Sequence, residues 1–453
     1  MVYIGIDLGN TNCCVACLVD NKIQIIPNEF GNKTTPSCIA FHEGKILIGE
    51  DAKVHQNKIC DIKKIISRNV VNVKEPSPFQ LIDIDDTRTI VLDNGEYVKP
   101  EAIYSHLLRK LKENAENYLQ CSVENAVVSV PAQFNSAQRE VTIRAGDLAG
   151  LKVRLINEPT AAALDYTLTN EKDGNILVCD MGSSSFDASV INIRENIVTV
   201  NSTAGDVNLG GQDIDDMLTN YCTNAIEKSK RCEIIKCYLS NNEDATLEVS
   251  INQSILSSQL HNLILNRLLR HIDEALEAAG VVDKNINGTT IEELLAGKII
   301  KKNINVNEIV LVGGSMKMPI IRDYIHKYIK KPINTLVDPD EAVARGAAIQ
   351  GAIIEGTLNV KLLSIDVLSL PVGVESDNGS FEKIIECNTP IPVTKTQSFM
   401  VENDNNNIRV NLLQGKGDKA KDNCFLYSYD LLNDNSNINI TIDIDENGVA
   451  TIF

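Results

Sequence analysis

Two acidic residues, each ending an apolar run and each followed by a turn of small residues, carry the chemistry available to this sequence. Asp7 follows Val2-Tyr3-Ile4-Gly5-Ile6 and precedes Gly9, Asn10, Thr11 and Asn12. Asp180 follows Asn175-Ile176-Leu177-Val178-Cys179 and precedes Gly182, Ser183, Ser184 and Ser185. Small residues let successive backbone N–H groups face one way and form an anion-binding concavity. An Asp at the mouth of such a turn suits a hydrated divalent cation better than a bare phosphate. Either motif alone is more often a plain hairpin turn. Their recurrence with the same apolar lead-in points to two similar lobes closing on one phosphate chain. No G-x-x-x-x-G-K-[ST] occurs, which excludes a P-loop.

Other stretches could join such a site. Leu209-Gly210-Gly211-Gln212-Asp213 is a glycine-bearing strand-to-helix turn, and Ile309 to Ser315 is a buried strand running into Gly313 and Gly314. Glycine turns of this kind let a base or sugar approach the backbone closely. Asp340 opens a small-residue helix beside the second of them. Glu158 precedes a proline where a strand gives way to the Ala-rich run Ala161-Ala162-Ala163, and proline favours a helix's first turn. Lys63 lies in a short helix over residues 60–66; read alone it is a surface lysine.

The elements that must position these residues are legible from periodicity. Residues 1–26 read as a meander turning at Asp20-Asn21, and 37–50 as a strand pair around Glu43-Gly44. Apolar residues at helical spacing predict a helix from Pro100 to Leu119. An apolar strand over 126–131 then leads to a helix over 136–149, with Ser136 as its expected cap. Residues 218–305 read as mainly helical. An apolar connector over 358–365 precedes short alternating strands with Asn- and Gly-rich turns, including the hairpin signal Asn447-Gly448.

Length and composition bound the function. The chain has 453 residues, room for two to four domains, with 23% charged and 43% hydrophobic residues. A formal charge of -18 argues against direct DNA binding and other broad nucleic-acid binding, which needs positive surface. Strand-forming residues begin at Val2 and no apolar run reaches membrane-spanning length, so a cytoplasmic protein without membrane contact is expected. The twelve cysteines are scattered and read as reduced, buried thiols. Cys14 and Cys17, three apart on a strand, point to opposite faces and cannot share a metal.

Ile4 to Thr11, Ile156-Asn157-Glu158-Pro159-Thr160-Ala161-Ala162-Ala163, Leu209 to Asp213 and Leu311 to Ser315 together resemble the 70-kDa heat-shock (DnaK-type) chaperones. The resemblance covers nearly the whole chain. It implies an α/β fold: a two-lobed actin-like ATPase domain over residues 1–357, with lobes of about 1–173 and 174–357. A linker over 358–365 and a truncated β-sandwich domain over 366–453 would follow, without the family's helical lid. It implies ATP or ADP with Mg2+ as ligands, Asp7 and Asp180 holding the metal through water, Lys63 reaching the terminal phosphate and Glu158 orienting the attacking water. Asp187 matches a further family acid. Glu233, Lys236 and Ser240 would line the adenosine side, facing Gly313, Gly314, Ser315 and Asp340.

The departures from the family pattern shape the functional expectation. Asn10 stands for the usual threonine and Asn12 for an aromatic residue, while three serines replace a more glycine-rich second turn. The serines keep the donors but stiffen the loop, so nucleotide should bind while hydrolysis is slow; Cys237 and Lys317 replace arginines. The chain is shorter between Asp216 and Glu233 and longer near 286–304, which alters the subdomain that nucleotide-exchange factors grip. The resemblance implies an ATP-binding chaperone or co-chaperone with weak ATPase activity, assisting protein folding with a J-domain partner. An alternative is a nucleotide-bound scaffold like the lidless members of the ribosome-associated complex, contacting ribosome or nascent chain and binding peptide weakly. A small-molecule kinase of the actin-like fold is a third class, disfavoured by the Asn-Glu-Pro-Thr-Ala-Ala-Ala segment and the β domain.

Overall fold

The structure is a computed structural model that describes residues 2–453 apart from 56, 67–79, 85–86, 93–94, 171, 222–227, 241, 243, 247–249, 253–259, 261–263, 283–303, 401–406 and 433–436. Two six-stranded sheets are built on one plan. In the first, Tyr3–Asp7 runs parallel to Asn125–Val130 on one side and antiparallel to Asn12–Val19 on the other. In the second, Gly174–Met181 runs parallel to Glu308–Val312 and antiparallel to Phe186–Arg194. Each central strand is buried through its middle and ends beside an Asp. The matching plan brings both small-residue turns to corresponding ends of their sheets.

Helices Pro100–Leu119 and Ser136–Leu148 cover the first sheet, and the core there joins Ile4, Ile6, Val15 and Cys17 to Ile103, Leu107 and Leu111. Cys14 faces the other way, into a cluster with Ala344 and Ala348, as strand alternation requires. The helix Ser136–Leu148 is capped by Asn135 rather than by Ser136: Asn135 Oδ1 accepts from Gln138 N at 3.0 Å, and Asn135 N donates to Gln138 Oε1 at 2.9 Å. This reciprocal pair satisfies two otherwise orphaned donors. Ser136 is free for another task, since its Oγ accepts from Ala450 N at 2.9 Å.

Two helices lie between the sheets, Glu158–Asn170 and Ala342–Glu355. Small residues let them cross closely. A Cβ on Gly346 would sit 1.8 Å from the Ala161 carbonyl oxygen, so nothing larger than hydrogen fits without displacing a helix.

Within 218–305 the described residues form the helices Lys228–Leu239 and Asn266–Ala278 but also the antiparallel strands Asp244–Thr246 and Ser250–Asn252. The helical expectation missed this ribbon because its segments are three residues long, too short to show a period of two. Most of the 286–304 stretch lies outside the described residues. The residues expected as a connector do not run free: Leu363–Val367 adds to the second sheet, with Ile197 opposite Leu363 and Thr199 opposite Ile365.

Beyond it stand a four-stranded and a three-stranded sheet that share one core, where Val372, Leu412 and Leu426 meet Ile440, Ile442 and Ile452. The Asn447-Gly448 turn joins Asn437–Ile444 to Ala450–Ile452 as its residues suggest, and it also reaches the first lobe. Asn447 Oδ1 accepts from Leu155 N at 2.9 Å, and its carbonyl accepts from Arg139 Nη1 at 3.0 Å. Ser136 N donates to Gln414 Oε1 at 2.7 Å, so backbone and amide groups fasten this sandwich to the first lobe.

Candidate functional site

Both turns open on a cavity of roughly 450 Å3 between the lobes, within the range of small-molecule sites. Its wall includes Asp7, Gly9, Asn10, Thr11, Asn12, Lys63 and Glu158 from the first lobe. From the second lobe come Asp180, Gly182, Ser183, Ser184, Ser185, Glu233, Lys236, Ser240, Gly313, Gly314, Ser315 and Asp340. Of the residues singled out by sequence, Gly210, Gly211 and Asp187 stand behind the wall. Gly211 N donates to Gly182 O at 3.0 Å, Gln212 N to Ser183 O at 2.8 Å, and Ser315 Oγ to Gly182 O at 2.8 Å. These bonds draw the second turn's carbonyls away from the cavity. In a trans peptide the N–H lies opposite the C=O, so the Ser183 and Ser184 amides face inward. A Cβ on Gly210 would lie 2.4 Å from the Ser183 carbonyl, so this backing loop requires glycine there.

Lys63 is no surface lysine. Ile62, Ile65 and Ile66 anchor its short helix in the first lobe's core, and this aims Lys63 at the cavity floor. There Lys63 Nζ donates to Glu158 Oε1 at 2.6 Å, both side chains being only 9% exposed. Glu158 starts its helix immediately after the strand Lys152–Asn157, which fixes its carboxylate opposite. Burial pulls the Lys63 ammonium's pKa down, but Glu158 and Asp7 outweigh it and hold it above the ordinary lysine value. Burial, reinforced by Glu158, pushes Asp7 up to about 7 against the opposing pull of Lys63 and of Ser129, whose Oγ donates to Asp7 at 3.1 Å. Asp187 rises to about 7 for the same two leading reasons, and burial lifts Asp180 well above the carboxylate range.

Asp7, Glu158, Asp180 and Asp187 thus set four carboxyls around one ammonium, a surplus of negative charge that a divalent cation would balance. Among the described residues no three Asp, Glu, His or Cys side chains converge as direct metal ligands. That donor set suits Mg2+, which keeps several of its waters and is held through them and through phosphate oxygens. Asn10 Oδ1, on the cavity wall, buried and without a hydrogen-bond partner, fits such a hydrated ion.

Three features escaped the sequence reading. Asn10 Nδ2 donates to Asp61 Oδ1 at 2.6 Å and to Ser183 Oγ at 3.4 Å, tying the two turns together across the cleft. Gln212 Nε2 reaches the other Asp61 oxygen at 3.3 Å from the opposite lobe. Lys236 is held in part by its own lobe, donating to Asp215 Oδ2 at 2.6 Å and to Gly211 O at 2.9 Å. Nothing local marks Asp61, whose partners lie far off in the chain. On the helix Lys228–Leu239, Glu233, Lys236 and Cys237 share the cavity-facing side at the expected helical spacing, with Ser240 just past its end. Opposite them Gly313, at φ 84, turns the chain where a Cβ would lie 2.8 Å from Asp180 Oδ1.

Comparison with known proteins gives one family. The family model described as "Hsp70 protein" matches residues 3–453. The chain is 36% identical over 494 residues to "Heat shock 70 kDa protein 2" of Paracoccidioides lutzii, an alignment covering 99% of this chain and 74% of that protein. It is 34% identical over 483 residues to "Heat shock 70 kDa protein" of Emericella nidulans, covering 99% of this chain and 75% of that one.

Proposed function

The chain belongs to the Hsp70 family of molecular chaperones, and from that premise we propose that it binds ATP with Mg2+ between its lobes and hydrolyses it slowly. The observation that carries this reading is the buried Lys63–Glu158 pair at 2.6 Å, set between the two Asp-bearing turns. In this reading Asp7 and Asp180 would hold a hydrated Mg2+, which would neutralise phosphate charge, and the turn amides would take phosphate oxygens. Lys63 offers its positive charge to the terminal phosphate, and Glu158 orients the attacking water. Phosphoryl transfer asks little more of a protein than such positioning and charge neutralisation. Glu233, Lys236 and Ser240 line one side of the adenosine end, with Gly313, Gly314, Ser315 and Asp340 on the other.

Slow turnover follows from how the groups are already engaged. Lys63 shares its charge with Glu158, and Asn10 is tied to Asp61 and Ser183. Both must be re-partnered before the terminal phosphate is fully met. Titration calorimetry with ATP and ADP in the presence of Mg2+ tests the first step: absence of measurable affinity removes the whole reading.

A second reading has one observation in its favour. Leu363–Val367 is built into the second lobe's sheet while Arg139 and Ser136 hold the β-sandwich to the first, which restrains the motion a client-binding cycle needs. The chain would then act as a nucleotide-bound scaffold beside a J-domain protein, at a ribosome or nascent chain, rather than as a clamp on clients. Tight, nucleotide-sensitive binding of an extended apolar peptide would refute it. No helix among the described residues is long and apolar enough to cross a membrane.

A further inference from the structure

Cys38 and Cys60 are the closest pair of thiols among the described cysteines for which a contact is seen, with Sγ atoms 2.8 Å apart. Their placement is set by the backbone. Strand Ile39–His42 pairs antiparallel with Lys58–Ile59, Ile39 opposite Ile59 and Ala40 opposite Lys58, so the same register puts Cys38 opposite Cys60. Directly opposed residues on antiparallel strands have Cα atoms about 4.5–5.5 Å apart, inside the range a disulfide spans. Closing the sulfurs to the roughly 2.05 Å of a disulfide bond asks for less than about 1 Å of movement.

The chain neighbours of both cysteines hold the first phosphate turn. Ser37 N donates to Thr11 O at 2.8 Å, and Ser37 Oγ donates to Gly9 O at 2.7 Å. Asp61, next to Cys60, accepts from Asn10 at 2.6 Å. We infer that Cys38 and Cys60 form a reversible disulfide that fastens the first turn from behind. Reactivity is divided between them in the sense this needs: the hydrogen bond from Cys60 favours the Cys38 thiolate, with Lys58 and Lys53 adding to the effect, while the Cys60 thiol is pushed up. Cys60 is half-buried, so the pair is not sealed from solvent.

The oxidant is hydrogen peroxide. The Cys38 thiolate attacks one peroxide oxygen, the O–O bond breaks, and the departing hydroxide is protonated to water, leaving Cys38 as the sulfenic acid. The Cys60 sulfur then attacks Cys38 Sγ, forming S–S and breaking S–O. The hydroxyl leaves as water with the Cys60 proton. Two thiols lose two electrons, and the peroxide is reduced to two waters.

The test uses the full chain without nucleotide, so it stands apart from the ATP reading. After stoichiometric hydrogen peroxide, peptide mapping under non-reducing conditions should show residues 38 and 60 in one linked species that dithiothreitol separates. Amide hydrogen exchange over Gly9–Asn12 should slow by at least about threefold on oxidation and recover on reduction. Cys38→Ser should abolish both effects, and wild-type mapping decides the linkage even if that variant folds poorly. Recovery of Cys38 and Cys60 as unlinked thiols while other cysteines oxidise would overturn the disulfide. A linkage that leaves Gly9–Asn12 exchange unchanged would overturn its hold on the turn.

Discussion

Replacing Lys63 with methionine removes one charge at nearly constant volume and tests the centre of the site. Lys63 and Glu158 are each 9% exposed and 2.6 Å apart, so the change leaves the Glu158 carboxylate buried beside Asp7 and Asp180. Breaking one side of a buried pair costs about 3–5 kcal/mol. The nucleotide-free variant should therefore lose about 3–5 kcal/mol in urea unfolding, with an unchanged slope against denaturant. Loss of one charged group aimed at the transferring phosphate should slow single-turnover ATP hydrolysis about 100-fold or more. Binding of ADP, which lacks the terminal phosphate, should weaken far less. Quenched-flow measurement at saturating enzyme separates these effects. Equal single-turnover rates in wild type and Lys63→Met, both shown to be folded, would remove Lys63 from the reaction.

Gly346→Ala should destabilise the chain by about 1–3 kcal/mol, since its Cβ would meet Ala161 O at 1.8 Å; a melting temperature equal to wild type would refute the tight helix crossing. Arg139→Met should loosen but not release the hold of the β-sandwich on the first lobe, because Arg139 bridges Asn447 O at 3.0 Å to Asn157 Oδ1 at 2.7 Å while the Ser136 and Asn447 side-chain bonds remain; amide hydrogen exchange over residues 447–449 should quicken, and unchanged exchange counts against the contact. Asp187 has a folded pKa of about 7, so between the ordinary carboxylate range and that value the native state binds more protons than the unfolded chain. Its contribution to the nucleotide-free protein is fully present at low pH and is lost as pH rises towards 7. Wild type should lose about 2 kcal/mol more than Asp187→Asn between pH 5.5 and 7, read by denaturant midpoints, and parallel pH profiles would contradict this.

Much of the architecture could be read along the chain because the physics involved is local. An apolar run ending in Asp and followed by small residues specifies a buried strand and a tight turn wherever it occurs, and doing so twice specified two matching lobes. Proline before the Ala-rich run and the Asn447-Gly448 turn are local signals of the same kind, settled by backbone sterics over a few residues. The choice of Asn135 over Ser136 as cap was harder, since both residues cap well. It was decided by Ser136 meeting Ala450 from a distant strand.

What only the tertiary structure decided are the pairings between residues remote in sequence. Lys63 reads as a solvated lysine until Glu158 stands 2.6 Å away, and Asp61 has no local mark of its contacts with Asn10 and Gln212. Leu363 to Ile365, the end of the connector expected over 358–365, becomes strand only because Ile197–Asp206 supplies its backbone partners. Cys38 and Cys60 are two of twelve scattered cysteines until a strand register sets them face to face. Local propensity fixes what a segment can form. Which distant donor meets which acceptor depends on how the sheets and helices pack, and that arrangement lies in no single stretch of the chain.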